Sequence, residues 1–315
     1  MQGRPQAAVR VAKTLWGVPD AEFPQRWDDL FAVIKDLNFD AVECNRQTWI
    51  KNTTLFCELL QKHKLQLICQ IHTTGGDVDP DTNDYIYCTS NKLSDHVESF
   101  EKHVKECADL PLRPVLINSH SGHDSWGSGA TAVAFFERAL EVEASFGIPI
   151  VHETHRQRLL YSPYPTAELL AMPQLSALKI NADLSHWCCV CEHVFDASNT
   201  RDDWWPPVLE LVARHCAFVH CRIGHAEGPQ VADPDAVNVS QEVTAHFDWW
   251  RAIWEAQLAR GGLNGEIWAE PEFGSAPYVQ TLPFTCQPVV DIWDVNNRVA
   301  SRIRAEFAML ISESK

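Results

Sequence analysis

The chain has 315 residues, 45% of them hydrophobic and 22% charged, which is ordinary globular composition and enough chain for a large core. Its formal net charge of -16 repels polyanions, so general nucleic-acid binding is disfavoured, although a local basic cleft stays open. No apolar run is long enough to cross a membrane, and the N-terminus MQGRPQAAVR lacks the apolar core of a signal peptide, so we expect a cytoplasmic protein without membrane contact.

Short β-rich apolar runs alternate with longer amphipathic runs along the chain. The predicted strands are 9–16, 40–45, 65–72, 113–120, 148–155, 178–186, 217–224 and 266–274. The helices predicted between and after them are 27–37, 54–64, 94–110, 131–147, 166–172, 206–215, 242–260 and 289–310. A long polar loop follows the third strand. Ser94 is the expected N-cap of the helix beyond that loop, and Gly147 is a stop signal for the next helix.

Strands that alternate with helices indicate a parallel sheet in the α/β class. Eight such units without a linker-like break predict a single closed (β/α)₈ TIM barrel, one domain covering residues 1–315. An open doubly wound sheet is disfavoured, because the segment TLWGVPD after the first strand has no GxGxxG turn.

The eleven cysteines are expected to be reduced, since the chain is too long to need disulfide bonds. Most of them lie in apolar segments, where cysteine behaves as a small hydrophobic residue. The cluster of Cys188, Cys189 and Cys191 lacks a second CxxC or a spaced histidine pair. We therefore predict a structural role for this cluster rather than a zinc site.

Polar residues end the four late strands, whose C-termini form the active face of such a barrel. These residues are His152, Glu153, His155 and Arg156 on the fifth strand, Asp183 and His186 on the sixth, His220 and Arg222 on the seventh, and Glu270 and Glu272 on the eighth. Facing carboxylates in an apolar barrel are costly to bury and raise each other's pKa. A divalent cation resolves that conflict.

The predicted ligands of one divalent ion are Glu153, Asp183, His220 and Glu272. Three carboxylates and one imidazole suit Mn²⁺, Mg²⁺ or Co²⁺, with Zn²⁺ as an alternative. Taken singly, any of these residues is more often a hydrogen-bonded structural group, and only their recurrence on successive strands favours a metal site. Glu272 is preferred to Glu270 because it is nearer the strand end; strand alternation points both the same way, so Glu270 could lie one layer deeper, and which of the two is the ligand stays open.

Other polar and aromatic residues at the strand ends are candidates for substrate contact. His186 and Arg222 are the preferred candidates for substrate contact. His72 and His120 could line the pocket, but a structural role is equally expected for them. Trp16, Trp126 and Trp187 lie just past strand ends, where an indole ring could stack on a sugar. The tryptophans on the seventh helix are expected in the core or at a subunit contact, so a homo-oligomer stays open: Trp249, Trp250 and Trp254.

At these residues the sequence resembles the xylose isomerase-like barrel superfamily, the sugar phosphate isomerases and epimerases, over almost its whole length. The segments that carry the resemblance are HETHR (152–156), DLSHW (183–187), HCRIGHAEGPQV (220–231) and PEFGSAPY (271–278). The resemblance implies the same four metal ligands. It also implies that Glu153 and Glu272 are an acid/base pair on opposite faces of the substrate carbon, and that His186 touches the substrate.

Two departures leave the substrate open. Ketose 3-epimerases of the superfamily carry an arginine well beyond the strand-seven histidine and a further glutamate after strand five, and here Ala226 and Arg158 fall near those positions. The superfamily also contains dehydratases and apurinic-site endonucleases. The nucleases use a later D-x-H motif, where this chain has Asp233 and Asp235, so a nuclease is disfavoured.

The leading hypothesis is metal-dependent isomerisation or epimerisation of a small carbohydrate or related hydroxy-ketone, with proton transfer through an enediolate. Loss of a β-hydroxyl from the same enediolate would make the chain a dehydratase or lyase. A non-catalytic sugar-binding barrel is the third alternative, although binding alone needs no opposed carboxylates. In each enzymatic case, we expect the four candidate ligands to converge at one end of the barrel.

Overall fold

The computed structural model describes residues 8–73 and 90–313, together with the backbone of 75–78 and 85–87. Eight strands form a closed barrel, and every neighbouring pair in it is parallel. They are β1 (Val9–Thr14), β2 (Ala41–Asn45), β3 (Gln66–His72), β4 (Leu116–His120), β5 (Ile150–Glu153), β6 (Ile180–Ala182), β7 (Cys216–His220) and β8 (Ile267–Glu270). Since β8 pairs with β1, the predicted closed α/β barrel is confirmed.

One long helix follows each strand and covers the outside of the barrel. These helices are α1 (Trp27–Asp36), α2 (Thr53–Lys62), α3 (Leu93–Ala108), α4 (Ala130–Phe146), α5 (Pro163–Leu170), α6 (Trp205–His215), α7 (Ser240–Arg260) and α8 (Ile292–Glu313). Two short helices, Arg46–Trp49 and Ser185–Val190, lie in the loops after β2 and β6. Among the described residues, no helix has the length and apolar character needed to cross a bilayer.

The remaining short elements lie in the loops. Single 3₁₀ turns span Pro19–Glu22, Pro24–Arg26, Ile50–Asn52, Asp124–Trp126, Pro173–Leu175, Thr200–Asp202 and Val237–Val239. The segment predicted as a polar loop after β3 contains an antiparallel pair of strands, Gly75–Val78 and Tyr85–Tyr87. That part of the loop prediction was therefore incomplete.

Several element boundaries differ from the prediction. β6 ends at Ala182 rather than at residue 186, because Ser185 already begins a short helix. The predicted N-cap at Ser94 is wrong: α3 begins one residue earlier, and the Ser94 hydroxyl donates to the Asp95 side chain instead. Gly147 does end α4, in the left-handed conformation at φ +64° that glycine adopts without strain.

The interior of the barrel has an apolar floor beneath a polar layer. The floor consists of Ala12, Ala41, Ile68, Leu116, Val151, Ala217, Phe218 and Trp268. Two residues farther along five of these strands, on the same face, the chain places Glu43, Asn118, Glu153, His220 and Glu270, all buried. Because all eight strands run in one direction, this polar layer lies toward their C-terminal ends.

The helices bury their apolar faces in a large cluster against the outside of the barrel. Trp249, Trp250 and Trp254 on α7 are buried in it, as expected for core residues. All ten cysteines that the structure describes are free thiols. Within the described ranges, no cysteine belongs to a group that could hold an ion, and a structural role for the cluster at 188–191 stays a prediction.

Lys13 is a charged residue buried on the outer face of β1. Its Nζ donates a hydrogen bond of 3.0 Å to Asn297 and lies 3.9 Å from the centre of the Trp293 ring. Burial lowers the pKa of Lys13 to about 7, although the charges of Glu270 and Asp291 oppose that shift.

We predict that Lys13 makes the free energy of unfolding increase with pH between about 7 and 10. The lysine of the unfolded chain has a pKa of about 10.4. Between these two pH values the unfolded chain therefore binds more protons than the folded chain. Lys13→Met should flatten the slope by up to about 1.4 kcal/mol per pH unit. Urea unfolding at several pH values within the window measures the slope.

The matched control is Lys51→Met, which removes an exposed lysine and should keep the wild-type slope. Equal slopes for wild type and Lys13→Met would contradict the lowered pKa.

Candidate metal and active site

Four buried side chains meet at the C-terminal end of the barrel. One ligand atom from each of Glu153, Asp183, His220 and Glu272 lies within 4.8 Å of all the others. Glu153 ends β5 and His220 ends β7, while Asp183 follows β6 by one residue and Glu272 follows β8 by two. The structure thus brings together the four residues that the sequence singled out, and their role as ligands stays a prediction.

The imidazole of His220 is held between two groups of carboxylates. Its Nε2 lies 2.8 Å from Oε2 of Glu43, and its Nδ1 lies 3.0 Å from Oε2 of Glu272 and 3.6 Å from Oε2 of Glu153. The amide of Asn118 donates to Glu43 at 2.9 Å and to Glu153 at 2.7 Å. A carboxylate on the far nitrogen of a histidine fixes the ring and its tautomer, as found around metal ligands.

Sequence reasoning missed Glu43. It is a carboxylate on the inward face of a strand that is otherwise buried and apolar, AVECN, and that position was the available signal. Glu270 lies in the same polar layer as Glu43 and His220, and it groups with these two rather than with Asp183. Burial and the neighbouring charge of Glu43 raise the pKa of Glu270 well above its usual range.

Burial acts differently on the three carboxyl groups of the cluster. It raises the pKa of Glu153, to which the charge of Glu272 adds, and it raises that of Asp183 to about 7 despite Arg222. Burial also opposes ionisation of Glu272, but the charges of His220 and Arg222 hold its pKa at about 2. The two glutamates therefore differ in the direction of their pKa shifts.

Three buried atoms of these residues lack a well-aligned hydrogen bond: Oε1 of Glu153, Oε2 of Glu272 and Nδ1 of His220, although the last two form an ion-pair contact. Buried polar atoms in proteins are almost always satisfied, so such a group calls for an explanation. A cation placed among these atoms would satisfy them, and the oxygen-rich set fits a hard divalent ion.

Arg222 also neutralises part of this charge. Its guanidinium binds Asp183, and Nη1 lies 3.3 Å from Oε2 of Glu272. Its Nε donates to the Ser185 hydroxyl at 3.1 Å, and Nη2 contacts Nε2 of His186 at 2.7 Å. The two predicted substrate contacts, His186 and Arg222, thus lie directly against the cluster, although both are almost completely buried.

His120 and Trp16, the other predicted substrate contacts, border the same cluster. Nε2 of His120 lies 3.0 Å from Oε2 of Glu153, and its ring stacks on His72 at 4.2 Å. Trp16 is half-buried and packs edge-on against Tyr278 at 4.8 Å. Only glycine fits at Gly274, because a Cβ there would lie 1.9 Å from the Trp16 ring.

The two other tryptophans do not line the site. Trp187 is fully buried, and its indole donates to the carbonyl of Leu160 at 2.9 Å, so the expectation that it stacks on a sugar is wrong. Trp126 donates to the carbonyl of Asn91 at 2.8 Å and packs edge-on against His96. His152 likewise turns away from the cluster and lies 2.6 Å from the Ser121 hydroxyl.

Comparisons with known proteins complete the description. No protein-family model and no curated protein matches the chain. Among solved structures, D-allulose 3-epimerase from Methylomonas sp. matches with a TM-score of 0.58 and 13% identity, over 95% of this chain and 98% of that one. A xylose isomerase-like TIM barrel protein from Mycobacterium smegmatis in complex with magnesium matches with a TM-score of 0.58 and 10% identity, over 96% and 98%.

This chain has the xylose isomerase-like TIM barrel fold. The probable 3-DHS dehydratase of Bacillus anthracis shares it, with a TM-score of 0.54 and 13% identity over 94% of this chain and 98% of that one. At these identities the likeness concerns the fold. Asp233 and Asp235 bind Arg298 of α8, and the expectation that they are no nuclease motif stays a prediction.

We predict that Glu43→Gln weakens binding of a divalent ion by about 10- to 100-fold, because loss of the charge behind a metal-ligating histidine typically has an effect of this size. Equilibrium dialysis with Mn²⁺ measures the affinity. The control is Glu266→Gln, at the opposite end of β8, where Glu266 binds Arg10. An unchanged affinity in Glu43→Gln would show that the orientation of His220 does not depend on Glu43.

Proposed function

We propose that this protein is a divalent-metal-dependent isomerase or epimerase of a small carbohydrate or related hydroxy-ketone. The observation that carries the proposal is the convergence of one ligand atom from each of Glu153, Asp183, His220 and Glu272, three of which also have a buried atom without a hydrogen bond. The D-allulose 3-epimerase and the magnesium-bound barrel of the same fold support it at the level of the fold.

The four residues would hold one ion, Mn²⁺, Mg²⁺ or Co²⁺, with Zn²⁺ as the alternative. When bound, the ion would supply positive charge beside the carbonyl and hydroxyl oxygens of the substrate. The carboxylate of Asp183 is fixed in position for binding the ion, because its Oδ1 accepts a hydrogen bond of 3.1 Å from the Ser185 backbone N–H. His220 is fixed in the same way by Glu43.

Glu153 and Glu272 would move the proton. One carboxylate takes it from the carbon next to the substrate carbonyl, and the electron pair of the broken C–H bond moves into an enediolate. Return of a proton to the neighbouring carbon gives an isomer, and return to the opposite face of the same carbon gives an epimer. The raised pKa of Glu153 suits a group that holds the proton between these steps, and the low pKa of Glu272 keeps it ionised.

A dehydratase or lyase is the second candidate. The favouring observation is a row of imidazoles beside Glu153, with ring centres 4.7 Å apart for His120 and His155 and 3.9 Å apart for His155 and His186. An N–H of this row could donate to a β-hydroxyl as it leaves the enediolate. The probable 3-DHS dehydratase shows that the fold accommodates such proteins.

We predict that a chelator abolishes activity and that Mn²⁺, Co²⁺ or Mg²⁺ restores it. Asp183→Asn should weaken ion binding at least about tenfold, because it removes a charge from the ligand set. Activity on a panel of ketoses and metal analysis of the same samples test both expectations. Full activity in excess chelator, with no metal detected, would refute the proposed metal dependence.

The two glutamates should behave differently from Asp183. If they carry the proton, Glu153→Gln and Glu272→Gln should lose about 10²- to 10⁴-fold in turnover even when the metal is restored, because an amide coordinates through oxygen but carries no acidic proton. Asp183→Asn, as the matched ligand-only variant, should regain turnover at high Mn²⁺. Wild-type turnover in either metal-loaded glutamine variant would end its candidacy as acid or base.

A further inference from the structure

Arg156 lies on the loop directly after β5, three residues beyond Glu153. It is half-buried, and its Cζ lies 5.0 Å from the centre of the Tyr278 ring. Its one hydrogen-bond partner among the described side chains is the thiol of Cys189, at 3.9 Å, which is a weak acceptor. The guanidinium is therefore positioned by an aromatic ring and not by an acid.

The chain is acidic overall, with 42 acidic against 26 basic residues. Arginines elsewhere either bind carboxylates or donate to backbone carbonyls. Arg113, Arg260 and Arg304 donate to carbonyls. The following bind carboxylates: Arg10, Arg26, Arg46, Arg138, Arg251, Arg298 and Arg302. Arg222, the neighbour of Arg156 in the site, binds Asp183 and Glu272. No carboxylate among the described residues lies within ion-pair distance of Arg156, so its charge stays available to a ligand.

Tyr278 connects Arg156 to the candidate active site. Arg222 lies over the same ring at 5.1 Å, so the two guanidinium carbons are at most about 10 Å apart. The Tyr278 ring also lies 6.4 Å from the ring of His186. A substrate bound at the carboxylates that Arg222 contacts, Asp183 and Glu272, would therefore lie near Arg156 as well.

We propose that Arg156 binds an anionic group, a carboxylate or a phosphate, at the end of the substrate remote from the reacting carbon. A guanidinium stacked on a tyrosine keeps its N–H edges free for two parallel hydrogen bonds to such a group. The substrate is therefore a sugar acid or a sugar phosphate rather than a neutral ketose. This inference rests on the proposed function, because it names the substrate class of the same site.

The test uses three six-carbon ketoses that differ only in the group at the last carbon: D-fructose, D-fructuronate and D-fructose 6-phosphate. With the Mn²⁺-loaded full-length protein, solvent-deuterium incorporation gives kcat/KM for each, and calorimetric titration gives Kd. At least one anionic ketose should exceed D-fructose at least tenfold in kcat/KM and in affinity, and which one does so distinguishes carboxylate from phosphate. Arg156→Gln should reduce that preference at least tenfold, mainly through KM.

Arg156→Lys should recover part of the preference, since it keeps the charge but loses the paired hydrogen bonds. The matched control is Arg201→Gln, which removes an exposed arginine and should keep the full preference. A wild-type protein that prefers D-fructose, or equal losses for all three ketoses in Arg156→Gln, would overturn the inference while exchange itself still supports the proposed function. Anion binding that depends on Arg156 without any exchange would support the inference and contradict the proposed function.

Discussion

The concentration of buried carboxyl groups around one imidazole is the constraint on which the upper half of the barrel depends. Glu43, Glu153, Asp183, Glu270 and Glu272 are all buried there, against His220 and Arg222. Removing one such charge from water costs several kcal/mol unless hydrogen bonds and opposite charges offset it. Hence Asn118 bridges two of the glutamates, and a fixed imidazole and a guanidinium lie between the others. The apolar floor and the packed helices stabilise the fold and so offset the free-energy cost of burying these groups.

The fold and the four candidate ligands could be predicted from the sequence because both follow from periodicity. Alternating apolar strands and amphipathic helices predict the eight units, and parallel strands bring their polar C-terminal residues to one end. The strand ends could not be placed accurately. The prediction extended the sixth strand through residues 183–186, but a hydrogen bond from the Ser185 backbone N–H to Asp183 and a short helix take them out of the sheet.

Residues that depend on tertiary contacts were beyond the sequence. Glu43 lies inside an apolar strand rather than at its end, so only the position of His220 across the barrel reveals its role. Trp187 follows a strand as Trp16 does, yet its indole turns into the core toward Trp205. Arg156 was visible as a polar residue after β5, but its significance comes from Tyr278, more than a hundred residues away.

The alternation of inward-facing and outward-facing residues along the barrel strands also determines which insertions and deletions leave the site intact. A strand has a period of two, so inserting or deleting one residue within β5 would exchange the inward and outward faces beyond that point and turn Glu153 toward the helices. The loops after the strands can change in length, because loop length does not determine which way the side chains of the preceding strand point. Divergence of such a barrel is therefore expected to retain strand lengths strictly while loops lengthen, shorten and recombine. Such changes alter the surface at the C-terminal end of the barrel and leave the inward-facing carboxylates in place.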